Sequence, residues 1–123
     1  MTQFLNGTQT TETLVNVSDI VARVGRNEMI LVDVRGTQEV DVTGIAKGAI
    51  HIPLLNIPAM TDPNSPECLK VFKSGAPVAL YCATGVRSRK AAEQLLAFGH
   101  SVAVNIGGLK DWAEAGGAVV SAN

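Results

Sequence analysis

The chain has 123 residues, enough for one domain around a single hydrophobic core and too few for two ordinary domains. Its apolar share of 46% and formal net charge of −1 give no reason to expect nucleic acid or an anionic membrane as a partner. No basic segment leads into an apolar one near the N-terminus, and no apolar stretch approaches the roughly 20 residues of a membrane span. We therefore expect a soluble, cytoplasmic protein.

The predicted elements begin after a polar arm of residues 1–12, which we expect to be a frayed end or a docked arm outside a single domain at 13–123. A short strand is predicted at Leu14–Val17. Ser18 is the predicted N-cap of a helix that ends near Gly25, because apolar residues recur there every three or four positions.

Four further strands are predicted from short apolar runs, and helical or turn-rich segments separate them. The strands are Met29–Val34, Gly48–Pro53, Pro77–Tyr81 and Ser101–Asn105. The helices are Glu67–Phe72, Val86–Phe98 and Leu109–Ala115, with a polar segment at Arg35–Glu39 and turns at Pro58–Pro66. Strands that are apolar on both faces and alternate with helices predict a mostly parallel sheet covered on both sides. The functional crevice of such a sheet lies at the carboxyl ends of its strands, where the sequence places Cys82 and Asp33.

The turn after Cys82 has the features of an anion-binding loop. Its residues are Ala83, Thr84, Gly85, Val86, Arg87 and Ser88. A free thiol with a pKa of about 8.5 is only about 3% ionised at pH 7. Backbone N–H groups that turn from strand into helix have no sheet partner and can converge on one anion, while the helix N-terminus adds positive potential. The pattern therefore predicts that Cys82 has a lowered pKa and acts as a nucleophile.

Charged and flexible residues near Cys82 fit this interpretation, and each also has a simpler one. Gly85 permits a positive φ in the tight turn, and Arg87 adds a fixed positive charge for an anionic substrate or is simply an exposed first-turn residue. Asp33 and Arg35 are interpreted as a structural ion pair or as support at the pocket rim. Cys82 itself has the alternative of a buried structural cysteine.

The second cysteine, Cys68, lies 14 positions before Cys82, without the CxxC spacing of a redox pair or a zinc knuckle. A disulfide framework is not expected, and a reducing compartment fits both residues. We interpret Cys68 as incidental, with the alternative that folding brings it to Cys82 as a resolving partner. His51 and His100 lack metal-ligand spacing, so no metal site is predicted.

The segment Cys82–Ser88 resembles the active-site loop of rhodaneses, the sulfurtransferases of the rhodanese-like domain family. Two further stretches agree with the family in order and spacing. They are Leu31–Arg35 followed by Glu39 and Gly48–Pro53, and then Asn105–Trp112 followed by Gly116. The resemblance covers about residues 13–120 of the chain.

This resemblance implies an α/β fold with a five-stranded parallel central sheet and helices on both faces. It implies a thiosulfate sulfurtransferase-like enzyme, in which Cys82 takes the outer sulfur of thiosulfate or a related donor as a persulfide held by the amides of residues 83–88. The implied partners are a small anionic sulfur donor and a thiol or cyanide acceptor, with a sulfur-acceptor protein as a further candidate. No cofactor, nucleic acid or membrane is expected.

The chain departs from the family pattern at one turn, and two alternative functions remain. The chain has Gly44-Ile45-Ala46-Lys47 where many members have Gly-His-Ile-Pro, and we interpret that turn as structural. Four residues separate Cys82 from Arg87. Phosphatase relatives have one residue more between their cysteine and the arginine that binds phosphate. The smaller ring suits a single sulfur better than a phosphate. The remaining alternative is a sulfur-carrier or non-catalytic binding module that acts with a partner protein.

Overall fold

The computed structural model describes residues 16–122, in which strands and helices alternate. The elements are α1 (Val17–Gly25), β1 (Ile30–Asp33), α2 (Thr37–Thr43), β2 (Ile45–Ala46), β3 (Ala49–His51), α3 (Ile57–Thr61), β4 (Val78–Cys82), α4 (Val86–Ala97), β5 (Ala103–Gly108), α5 (Leu109–Glu114) and β6 (Val119–Val120). Short 3₁₀ turns occupy Leu54–Asn56 and Lys70–Lys73. Four strands form a parallel sheet in the order β3-β1-β4-β5, and β2 pairs with β6 in a separate antiparallel ribbon.

The expectation of five parallel strands is corrected to four within residues 16–122. The predicted strand at Leu14–Val17 accounts for the difference, because Val17 is the first residue of α1, and Leu14 and Val15 lie outside the described residues. Asn16, not Ser18, is the N-cap, since its side chain accepts a hydrogen bond of 3.2 Å from the backbone N–H of Asp19. This N-cap places Asn16 and Val17 outside any strand.

The core is built on both faces of the central strands β1 and β4, in which every residue is buried. On one face, α4 contributes Leu95 to a cluster that includes Phe72. On the other face, Ile20 of α1 and Trp112 of α5 pack in a second cluster. Apolar burial on both faces explains why β1 and β4 have continuous apolar sequences, and it fixes the carboxyl end of β4 in the middle of the sheet.

Three other local predictions differ from the structure. The polar segment Arg35–Glu39 continues into α2. This helix buries only Val40, so its sequence lacks the apolar periodicity that indicates a helix. The predicted helix Glu67–Phe72 is the 3₁₀ turn at Lys70–Lys73, and α3 occupies the start of the predicted turns. The stretch that departs from the family pattern forms β2, whose Ala46 N–H donates a hydrogen bond of 3.0 Å to the hydroxyl of Tyr81.

None of the helices in residues 16–122 has both the length and the apolar character needed to cross a membrane. No group of three or more His, Cys, Asp or Glu side chains in the same range could hold a metal ion.

A candidate active site at the carboxyl end of β4

Cys82 is the last residue of β4, and its sulfur is surrounded by donors from the loop that leads into α4. The backbone N–H of Gly85 donates to Sγ over 3.0 Å, and the hydroxyl of Ser88 lies 3.3 Å from Sγ. The backbone N–H groups of Thr84 and Ser88 also stabilise a negative charge on the sulfur. Of the six loop residues named from the sequence, the structure brings Thr84, Gly85 and Ser88 to the sulfur. Ala83 and Val86 are exposed, and Arg87 pairs with Glu39.

Glycines allow this loop to close tightly. Gly85 has φ 99°, the left-handed region that favours glycine, and its N–H turns back toward the sulfur. On β5, which pairs with β4, a Cβ on Gly108 would collide with the carbonyl oxygen of Ala83. The main chain of β5 therefore supports the loop from the side, and the Gly107-Gly108 pair is part of the site architecture.

The hydrogen bonds lower the pKa of Cys82 below its ordinary value. Burial alone raises the pKa of this thiol, but the Ser88 hydroxyl and the N–H groups of Ser88, Gly85 and Thr84 together outweigh burial. A lowered pKa means a larger thiolate fraction at neutral pH, and the thiolate is the nucleophilic form of cysteine. The loop can therefore hold a negatively charged sulfur, whether thiolate or persulfide.

Access to this sulfur is restricted. Cys82 is 0% exposed, whereas the outer residues of the loop, Ala83, Thr84 and Val86, are exposed to solvent. A reagent larger than water therefore reaches Sγ only when the atoms that cover it move.

Asn105 of β5 belongs to the site although the sequence did not single it out as a site residue. Its Nδ2 donates to the carbonyl of Gly85 over 2.9 Å, and its Oδ1 accepts from the N–H of Gly107 over 3.0 Å and from the hydroxyl of Ser88 over 2.7 Å. Asn105 is buried, with 3% of its surface exposed. It links β5 to two of the groups that bind the Cys82 sulfur. The only sequence signal was its place at the start of the Asn105–Trp112 stretch.

Arg87 is paired with Glu39 of α2. Its two terminal nitrogens donate to the two carboxylate oxygens over 2.7 and 2.9 Å. Both side chains are partly exposed, at 38% for Arg87 and 40% for Glu39. The hydrogen bonds from Arg87 and from the Gly36 N–H lower the pKa of Glu39 to about 2, so this carboxylate is charged at neutral pH. The sequence placed Arg87 in the loop but did not predict this partner.

Asp33 and Arg35 form a buried ion pair at the end of β1, with Nη2 of Arg35 2.8 Å from Oδ2 of Asp33. Arg35 also donates to the hydroxyl of Thr43 and to the carbonyl of Gly44. The hydroxyl of Tyr81 donates to Asp33 over 2.6 Å. These bonds join the ends of β1 and β4 to α2, so the pair holds in place the helix that bears Glu39.

Cys68 and Cys82 are both free thiols in the structure. Cys68 is partly buried against the same apolar cluster that contains Cys82, and its thiol lies 3.4 Å from the carbonyl of Leu69. The hydrogen-bond partner of Cys68 is the next residue of the chain.

A thiol of lowered pKa is held by main-chain donors at the carboxyl end of a parallel α/β sheet. The family model of the rhodanese-like domain matches residues 16–115, so the chain belongs to the rhodanese-like domain family. No curated protein matches it significantly.

Solved structures share this fold. A protein of unknown function from Rhodopseudomonas palustris CGA009, described as a possible tyrosine phosphatase, is 29% identical over 85% of this chain and 81% of that chain, with a TM-score of 0.75. A rhodanese from E. coli, solved with anions, is 28% identical over 68% of this chain and 89% of that chain, with a TM-score of 0.56. The human single-domain sulfurtransferase TSTD1 is 19% identical over 84% and 96% of the two chains, with a TM-score of 0.66, and shows the likeness of fold.

Proposed function

We propose that the protein is a sulfurtransferase in which Cys82 carries the transferred sulfur as a persulfide. The observation that carries the proposal is the convergence of the Gly85 N–H and the Ser88 hydroxyl on Sγ, at 3.0 and 3.3 Å, with a lowered pKa of that thiol. Donors that stabilise a thiolate also stabilise the anionic persulfide that replaces it. Family membership and the similarity to the E. coli rhodanese support the same chemistry.

In the proposed first step, the Cys82 thiolate attacks the outer sulfur of thiosulfate or a related sulfane donor. The S–S bond of the donor breaks, sulfite or a thiolate leaves with the electron pair, and a new S–S bond forms at Cys82. A thiol or cyanide then attacks the outer sulfur of the persulfide and returns the Cys82 thiolate. The loop from Ala83 to Ser88 holds the charge in both steps, and Asp33 and Arg35 support it through α2.

Phosphate-ester hydrolysis is the less favoured chemistry, although one similar protein is described as a possible tyrosine phosphatase. A phosphatase of this kind needs an arginine free to grip the phosphate bidentately. Arg87 already makes a bidentate contact with Glu39. The four-residue spacing between Cys82 and Arg87 also leaves a smaller ring than a phosphate requires.

Intact-mass measurement after incubation with a sulfane donor tests the proposal. Thiosulfate and cysteine persulfide are used separately, because they differ in charge and leaving group. The expected result is a gain of one sulfur atom, reversed by cyanide, in wild type and in Cys68→Ser, and no gain in Cys82→Ser. Failure of both donors to load Cys82 would overturn the proposal.

The number of turnovers distinguishes an enzyme from a sulfur carrier that acts with a partner protein. An enzyme releases many equivalents of thiocyanate when donor and cyanide are both in excess. A carrier loads once and passes its sulfur on only when an acceptor protein is added. Multiple turnovers without another protein support the enzyme.

A further inference from the structure

We infer that Glu39 sets the donor preference of this site, because it holds Arg87 in a neutral pair and so favours monoanionic sulfane donors with an apolar body over the dianion thiosulfate. The inference rests on the proposed function and specifies the substrate class of the same site. It replaces the simple expectation that Arg87 guides a small dianion.

The geometry of the pair directs the terminal nitrogens of Arg87 at Glu39, and the guanidinium also interacts with the Cys82 sulfur. Both terminal nitrogens of Arg87 face the carboxylate of Glu39, at 2.7 and 2.9 Å. The carboxylate is held in turn by the N–H of Gly36 over 3.1 Å, at the start of the same helix. Because the Gly36 N–H holds the Glu39 carboxylate at the start of α2, the Arg87 side chain is directed toward that helix. The pair contributes no net charge beside the loop.

Exposed apolar side chains lie beside the loop. Val86, directly after Gly85, is 74% exposed. Leu55, 93% exposed, lies in the 3₁₀ turn that follows β3, at the same carboxyl edge of the sheet. The next arginine along α4, Arg89, has Glu93 on the following turn at 3.7 Å. Exposed apolar side chains at a site mouth favour a ligand with an apolar part.

Two kinds of sulfane donor differ in their negative charge. The amide ring around Cys82 is suited to the single negative charge of a thiolate or persulfide. A dianion brings a second charge that needs a free cation outside the ring. A persulfide or a thiosulfonate, RSO₂S⁻, replaces that second charge with its organic group. The thiolate attacks the outer sulfur, the donor S–S bond breaks, and a thiolate or sulfinate leaves with the electron pair, so no external oxidant is needed.

A matched pair of donors tests the inference. Thiosulfate and methanethiosulfonate, CH₃SO₂S⁻, differ by one charge and one methyl group. Their kcat/KM values are compared in wild type, in Glu39→Gln and in Asp41→Asn. Glutamine keeps an oxygen that can accept from the Gly36 N–H but removes the charge. Asp41 is an exposed carboxylate two residues along α2, about 200° around the helix axis.

For Glu39→Gln we expect kcat/KM to rise about tenfold for thiosulfate and about threefold for methanethiosulfonate, because a dianion gains twice as much from one removed charge. Any change in the reactivity of Cys82 affects both donors and cancels in the ratio of the two values. Asp41→Asn should leave that ratio unchanged. An unchanged ratio in Glu39→Gln, or an equal fall for both donors, overturns the inference.

The dependence of wild-type kcat/KM on ionic strength is an independent test. If the Arg87 charge is neutralised, kcat/KM of wild type for thiosulfate should stay level or rise with ionic strength. A steep fall with salt means that a free cation attracts the dianion, and contradicts the inference. If neither donor loads Cys82 at all, the proposed function fails instead, so the two failures are distinguishable.

Discussion

Ser88 and Asn105 meet across α4 and β5 through a hydrogen bond of 2.7 Å between Oγ and Oδ1. The amide of Asn105 is oriented by two main-chain groups, because its oxygen accepts from the Gly107 N–H and its nitrogen donates to the Gly85 carbonyl. The Ser88 hydroxyl has one proton and lies near three acceptors: Oδ1, the Cys82 sulfur and, at 3.5 Å, the carbonyl of Gly107. When the sulfur carries a negative charge, it becomes the stronger acceptor and draws that proton.

Replacing Ser88 by alanine should raise the pKa of Cys82. A hydrogen bond to a charged acceptor contributes about 1.5 kcal/mol or more, which corresponds to about one pKa unit. The pH profile of persulfide loading should therefore shift to higher pH by about that amount. Ser101→Ala, at an exposed position in the turn before β5, is the matched control. A Ser88→Ala profile that coincides with wild type would show that the hydroxyl serves only Asn105.

Asn105→Ala should destabilise the fold as well as the loop. The substitution leaves the carbonyl of Gly85 and the N–H of Gly107 without their present partners in a buried site. Leaving buried polar groups unpaired costs about 1–3 kcal/mol, measured as the free energy of unfolding in urea. Asn64→Ala, at an exposed position, should change that free energy by less than about 0.5 kcal/mol. Equal effects of the two substitutions would contradict the structural role of Asn105.

Gly108→Ala should damage the site because the added Cβ collides with the Ala83 carbonyl oxygen. The loop must move to relieve the contact, which disturbs the N–H groups around Cys82. We expect persulfide loading to fall by at least about tenfold, the equivalent of about 1.4 kcal/mol, under conditions where the variant remains folded by circular dichroism. Gly25→Ala is the control, since nothing lies within 4 Å of a Cβ there. Normal loading by Gly108→Ala would disprove the tight contact.

The Glu39–Arg87 pair should make stability depend on acid pH. The pKa of Glu39 is about 2 in the folded protein, below the roughly 4.3 of an unfolded chain, so its contribution is present above about pH 4 and is lost as the pH falls through about 2. Because both side chains are more than one third exposed, we expect the contribution to be no more than about 1 kcal/mol.

Urea unfolding of wild type and Glu39→Gln from neutral pH down to pH 2 measures this contribution. The difference in free energy of unfolding between the two proteins should shrink as the pH falls. A difference that is constant across this range would show that Glu39 stabilises the fold through its shape and not its charge.

Much of the fold follows from local sequence patterns. β1 and β4 are continuous apolar runs because both of their faces are covered, and α4 has a clear apolar stripe ended by Gly99. Residues 16–122 contain four parallel strands where five were expected, because Val17, which was predicted as part of a strand, begins α1 and Asn16 caps that helix. α2 was missed because only Val40 of its residues is buried.

Part of the site could also be predicted from the sequence, and part could not. The donors around Cys82 are neighbours in sequence, and their chemistry can be predicted from the strand-to-helix turn that contains them. The two pairs that refine the site join distant residues: Ser88 and Asn105 are 17 positions apart, and Glu39 and Arg87 are 48 apart. Such pairings depend on how the strands are ordered in the sheet, which one sequence does not specify.

Titration of the Cys82 thiolate by its ultraviolet absorbance measures the acidity of this sulfur without requiring a reagent to enter the covered loop. Cys68→Ser provides the background for the measurement, since it leaves Cys82 as the only cysteine in the chain. The structure predicts a pKa below the ordinary value of a free cysteine, because the hydrogen bonds to Sγ outweigh burial. A pKa at or above that value would contradict the stabilised thiolate and, with it, the proposed persulfide chemistry.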